Sequence, residues 1–141
     1  MEKKLNTLLA DLVVEYHKLQ NFHWYIKGKD FFTIHAKLEE YYNYINEAID
    51  EIAENILMIG FQPVASLKEF MELSKIEEAK DQQLSSKEIY NTVLKDFNYL
   101  LEAIKEIKQL ADKEDNYLIS SLMDDYIGNF TKSIWMLNQV V

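Results

Sequence analysis

Residues 23–35 read His23-Trp24-Tyr25-Ile26-Lys27-Gly28-Lys29-Asp30-Phe31-Phe32-Thr33-Ile34-His35, and Lys27 to Asp30 in the middle form a helix break flanked by two histidines. Upstream, Leu5, Leu9, Leu12, Tyr16 and Leu19 recur in alternating steps of four and three, the seam of an amphipathic helix that His23 continues. Downstream, Leu38, Tyr42, Ile45, Ile49, Ile52, Ile56 and Ile59 lie on one stripe of a second helix. It stops at Gly60, a residue suited to a left-handed cap, with Pro63 barring continuation. Ser66-Leu67-Lys68-Glu69 is a capping-box pattern opening a helix of about two turns. A second capping box, Ser85 to Glu88, opens a third long helix with Ile89, Val93, Phe97, Leu100, Ile104, Ile107 and Ala111 on its stripe. After a turn at Asp112 to Asp115, a fourth carries Ile119, Met123, Ile127, Phe130, Ile134, Leu137 and Val141. The pattern predicts an all-α fold: a four-helix bundle with a short extra helix in the long crossover between the second and third long helices.

Composition narrows the function classes. The chain has 141 residues, a size that fits one domain spanning 1–141. It has no cysteine, which removes thiol catalysis, iron-sulfur clusters and disulfides from consideration. With 3 glycines and 1 proline it lacks the turns of a β-sandwich or barrel. All 15 basic residues are lysines, against 24 acids, for a net charge of -9. Fork-like arginine contacts to phosphate or guanine are therefore absent, and nucleic acid is repelled on average. The N-terminus does not read as a signal peptide and no apolar run reaches the ~20 residues of a membrane span, so a soluble, cytoplasmic protein is expected.

The three histidines, His17, His23 and His35, all fall in the first quarter of the chain, and no Glu-x-x-His occurs. A di-iron site of the usual intrabundle kind is thereby disfavoured. On the second helix, Asp50 and Glu54 are one turn apart, and at ~100° per residue His35 and Glu39 fall on the same flank, beside the isoleucine stripe. His35 and Asp50 are 15 residues apart, ~22 Å along one helix, so a single chain cannot bring both to one metal. Two copies of this helix packed antiparallel about a two-fold axis would set His35 of one opposite Asp50 and Glu54 of the other. His23 approaches His35 across the short loop. Two imidazoles and two carboxylates suit ferrous iron, and zinc or cobalt as well.

The segment from His23 to Phe31 resembles the H-W-x-I/V-x-G-x-x-F signature of the Dps family, the miniferritins, and Phe32-Thr33-Ile34-His35 follows as it does there. The likeness extends through Asp50-Glu51-Ile52-Ala53-Glu54, Ile59-Gly60, Pro63, Ser66 to Phe70 and Ile134-Trp135-Met136-Leu137. The resemblance implies a ferritin-like bundle assembled into a dodecamer built from two-fold dimers. It further implies ferroxidase activity at His23, His35, Asp50 and Glu54, with Glu39 as a further acid near a second iron. Hydrogen peroxide, or dioxygen, is the implied oxidant, and ferric mineral stored inside the shell protects against oxidative stress. The chain departs from the family pattern in three places. Asn55 stands where arginine is usual, which points to an outer-surface change or one behind the ligands. Ser120 and Ser121 stand where acids are common near a three-fold pore, with Asp124 and Asp125 close by; and no lysine-rich tail precedes the first helix. The last, with the charge balance, argues against DNA coating. Two other classes compete with this reading: a non-catalytic helical scaffold held by the same dimer face, and a DNA-compacting protein.

Structural roles are the expectation for the remaining conspicuous residues. His17, six residues before His23, reads as a core histidine, Trp24 and Trp135 as packing residues, and Tyr41, Tyr42 and Tyr44 as core or interface packing.

Overall fold

Uninterrupted apolar seams and well-placed caps divide the chain into five helices, and the computed structural model describes all 141 residues. Helix α1 spans Glu2–Tyr25 and α2 spans Phe31–Met58. Neither contains glycine or proline, so nothing interrupts the ladder before Gly28 and Gly60. Gly60 closes α2 at φ 87°, with its own N–H on Leu57 O at 3.0 Å and that of Phe61 on Ile56 O at 3.0 Å. These are the two bonds of a Schellman cap.

The crossover leaves from that cap. Asn6 of α1 pins its start, donating from Nδ2 to Gln62 O at 3.0 Å and accepting from the Val64 N–H at 2.9 Å. Helix α3 (Leu67–Leu73) begins with the expected capping box, and so does α4 (Ser86–Lys113). In α4, Ser85 Oγ accepts from the Glu88 N–H while Glu88 accepts from the Ser85 N–H. The crossover's far side is held by Asp11, which is fully buried in α1. It accepts from Ser74 Oγ at 2.9 Å, Lys75 N–H at 2.6 Å and Tyr99 O–H at 2.6 Å, tying α1 to both the crossover and α4.

Just past the end of α4, Asp115 adopts a φ of 54°, a side-chain-bearing residue at the position that Gly60 takes after α2. The Asn116 N–H closes on Ala111 O at 2.8 Å, and the Asn116 side chain then caps α5 (Tyr117–Leu137) through the Ile119 N–H. The α1/α2 and α4/α5 hairpins, each joined by a short loop, pack their seams together with α3 lying on α1. Phe97 and Phe130 meet edge to face at 5.2 Å in the middle of the core; burying such a ring stabilises the fold by roughly 2–3 kcal/mol. No helix is long and apolar enough to cross a membrane.

Several residues lie elsewhere than expected. His17 is exposed, not a core histidine: at ~100° per residue it falls more than a quarter turn off the seam, where its ring meets that of Tyr16 edge-on at 5.1 Å. Trp24 and Trp135 are 68% and 62% exposed, so neither packs into the bundle of its own chain. Asn55 is not on the outer surface: it is 9% exposed, and its Nδ2 donates to Glu51 O at 2.8 Å, where a larger, charged side chain would need a way out to solvent. Ser120 is buried, hydrogen-bonded to Asp112 and, at 2.6 Å, to Lys108 Nζ, and Lys108 also holds Asp124 at 3.2 Å. Val141 lies past the end of α5 and is exposed.

Candidate metal centre

The loop between α1 and α2 brings His23 and His35 together. Gly28 adopts φ 121°, a conformation that side-chain-bearing residues rarely take, and its carbonyl accepts from the Phe31 N–H at 3.1 Å to start the new helix. Two reciprocal hydrogen bonds then span the loop. His23 Nδ1 donates to His35 O at 2.7 Å, and His35 Nδ1 donates to His23 O at 2.8 Å. A carbonyl oxygen only accepts, so both Nδ1 atoms carry their protons, and in the neutral rings both Nε2 atoms keep a lone pair. The imidazoles stack at 3.5 Å with 11° between planes. Phe31 covers the other side of His35 at 4.6 Å, and Tyr42 abuts His23 edge-on at 5.3 Å. Anchoring Nδ1–H on a carbonyl fixes ring orientation and raises the basicity of the other nitrogen, the usual support for a metal-binding histidine.

The carboxylates stand apart from this pair. Glu39 is exposed one turn beyond His35 and accepts from the Tyr42 hydroxyl at 3.2 Å. Asp50 and Glu54 are exposed near the other end of α2. Within one chain no group of three or more His, Asp or Glu side chains could hold a metal ion, in keeping with the ~22 Å between His35 and Asp50 along the helix. The bundle interior offers no other histidine, because α4 and α5 have none and His17 is exposed.

The exposed flank of α2 has a further regularity. Phe32 and Leu57, His35 and Glu54, Ala36 and Ala53, Glu39 and Asp50, and Asn43 and Asn46 are each equidistant from the midpoint between Tyr44 and Ile45. The stripe is mostly solvent-facing, with Phe32 85% and Leu57 60% exposed at its ends. Beside it, Tyr126 donates to Glu51 Oε2 at 2.7 Å, and burial together with this bond pushes its phenol well up, keeping it a donor.

A sequence profile of the ferritin-like domain matches residues 2–141. The chain is 41% identical over 133 residues to "DNA protection during starvation protein 2" of Bacillus anthracis, covering 94% of this chain and 90% of that protein. It is 36% identical over 133 residues to the "DNA protection during starvation protein" of Helicobacter pylori, covering 94% and 92%. This chain belongs to the Dps family. A solved Dps protein from Vibrio cholerae, described as a member of a broad superfamily of ferritin-like diiron-carboxylate proteins, superposes with a TM-score of 0.93 at 36% identity, covering 96% of this chain and 85% of that one. Membership of Dps therefore places the all-α bundle among ferritin-like proteins and implies iron handling.

Sequence reasoning did not single out Tyr42 as a contact of both His23 and Glu39, although its position one turn past Leu38 on the α2 seam was visible. It also passed over the buried charges Asp11, Glu15, Lys18 and Asp96. Three of these share a signal. Asp11, Glu15, Lys18 and Phe22 follow steps of four, three and four, a second stripe beside the α1 seam.

Proposed function

We propose that this Dps protein oxidises ferrous iron at sites shared by two protomers and stores the ferric product inside a dodecameric shell, residues 1–141 acting as one domain. His23 and His35 of one protomer and Asp50 and Glu54 of the other are the iron ligands, with Glu39 accessory to them. The observation that carries this reading is the stacked imidazole pair with both Nδ1 atoms committed to carbonyls and both Nε2 atoms available. The pairing of α2 residues about a single midpoint supports the two-fold: in an antiparallel contact each His35 meets a Glu54 and each Glu39 meets an Asp50.

Iron is the substrate here, and the chain's residues do three things to it. The imidazoles bind it as neutral donors, selecting a borderline metal over magnesium or calcium. The carboxylates offset the third positive charge that develops on oxidation, favouring the ferric state. Hydrogen peroxide accepts one electron from each of two ferrous ions, which avoids release of a hydroxyl radical and accounts for protection against oxidative stress. The net charge of -9 and the absence of arginine support protection by iron removal and not by coating DNA.

The test is peroxide-driven ferrous oxidation by the wild type and by the double variant His35→Ala, Asp50→Ala. Loss of ligands from both halves of the site should slow oxidation by 10-fold to 100-fold or more, on the order expected for disabling a metal site. Equal rates reject the assignment. Size exclusion checks the shell separately: twelve copies of 16.7 kDa elute at roughly 200 kDa, and a monomer or isolated dimer rejects storage.

A further inference from the structure

One buried acid in the seam between α1 and α4 plays no part in the metal chemistry. Glu15 is fully buried, and neither of its carboxyl oxygens meets an N–H or O–H donor anywhere in the chain. The charged groups that face it are Asp96 from α4, and Lys18 and Asp11 from its own helix; none comes from α2, α3 or α5. Asp11 is already saturated by Ser74, Lys75 and Tyr99. The Lys18 ammonium is committed to Asp96 at 2.6 Å, both side chains being less than a tenth exposed. Glu15 thus sits beside a second carboxylate with a single cation between the two acids, and that cation lies on its neighbour.

An ionised carboxylate in that position would be a buried charge without a donor, next to a like charge, and such an arrangement is among the most costly a fold can contain. A proton removes both penalties at once. It neutralises Glu15 and supplies the one donor that two adjacent carboxyl groups lack. We propose that Glu15 and Asp96 hold one proton between them, with Lys18 as counter-ion, making the α1/α4 seam a proton-dependent joint that loosens when the proton leaves. Burial first, and then the Asp96 charge, push the Glu15 carboxyl well above the usual carboxylate range, in the same direction.

The linkage has a definite sign. Above the ordinary glutamate value of 4.5 the unfolded chain sheds this proton while the folded chain keeps it. Rising pH therefore favours unfolding, until Glu15 itself ionises in the folded bundle. Glu15→Gln keeps a donor toward Asp96 and cannot ionise, so it removes the dependence without removing the hydrogen bond. Relative to Glu15→Gln, the unfolding constant of the wild type should rise about tenfold per pH unit from about pH 5 upward, one proton's worth of linkage. The readout is urea unfolding of both proteins at equal protomer concentration across pH 5–9.

A second measurement needs no variant to fold. With glutamate side chains labelled with 13C, wild-type protein at pH 7 should show one carboxyl resonance at the protonated position, unmoved where all exposed glutamates are ionised. Parallel pH curves for wild type and Glu15→Gln overturn the proposal, as does a spectrum in which every glutamate carboxyl is ionised at pH 7. The metal reading does not bear on either result, since both experiments are run without iron.

Discussion

Asp11 and Glu15 lie one turn apart on the same stripe of α1, and both are fully buried. Asp11 is surrounded by three donors, a hydroxyl from the crossover, a backbone N–H and the Tyr99 phenol. Glu15 has none. The fold therefore contains two solutions to the same problem. One compensates a buried negative charge with directed hydrogen bonds, and the other removes the charge. The first solution ties three elements together through fixed donors. The second leaves a joint whose strength depends on the solution outside.

Breaking the first solution should have the largest effect. Asp11→Ala leaves Tyr99, Ser74 and the Lys75 N–H without their acceptor, and should lower unfolding stability by about 4 kcal/mol, read from the urea midpoint at fixed protomer concentration. Lys18→Met should cost about 3 kcal/mol, because it strands Asp96 beside Glu15 in a dry seam. The loss should shrink in a Lys18→Met, Asp96→Leu double variant, which removes the uncompensated charge and so isolates the pair from the packing around it. Tyr99→Phe withdraws one of the three donors of Asp11 and should cost about 2 kcal/mol. The phenol is held well up by burial and by its carboxylate partner, so it remains a donor throughout, and its loss should be equal at pH 6 and pH 9. A loss that varies with pH would mean that Asp11 and Glu15 are coupled and that the contrast between them is not clean.

The helices were legible because their information is local. Steps of three and four put Ile89 through Ala111 on one face, and Ser66/Glu69 and Ser85/Glu88 announced two helix starts that the structure reproduces bond for bond. Gly60 announced a helix end, but Asp115 did not: its left-handed φ of 54° is imposed by the turn into α5, and nothing about an aspartate in a run of charged residues signals it. His17 was misread because nearness to a seam in sequence is not nearness on the helix surface. The buried charges were missed for a different reason. Asp, Glu and Lys are so seldom fully buried that sequence reasoning sends them outward by default, and only the companion stripe Asp11, Glu15, Lys18, Phe22 argues otherwise. Of the candidate site, the meeting of His23 and His35 was readable from a short loop between two helices, and the stacked geometry bears that out. The carboxylates are exposed and stand apart from the imidazoles, as the ~22 Å between His35 and Asp50 along α2 requires.

The paired bonds between His23 and His35 also turn the connection they bridge into a gauge. Surface connections ordinarily absorb extra residues with little consequence, and Gln82 and Gln83, exposed just before α4, are placed to do so. Residues 26–30 are not, because an added residue there would pull each ring off the carbonyl opposite and turn both Nε2 atoms away from one another. Changes in chain length, whether by drift or by engineering, can accumulate on one side of this molecule and not on the other.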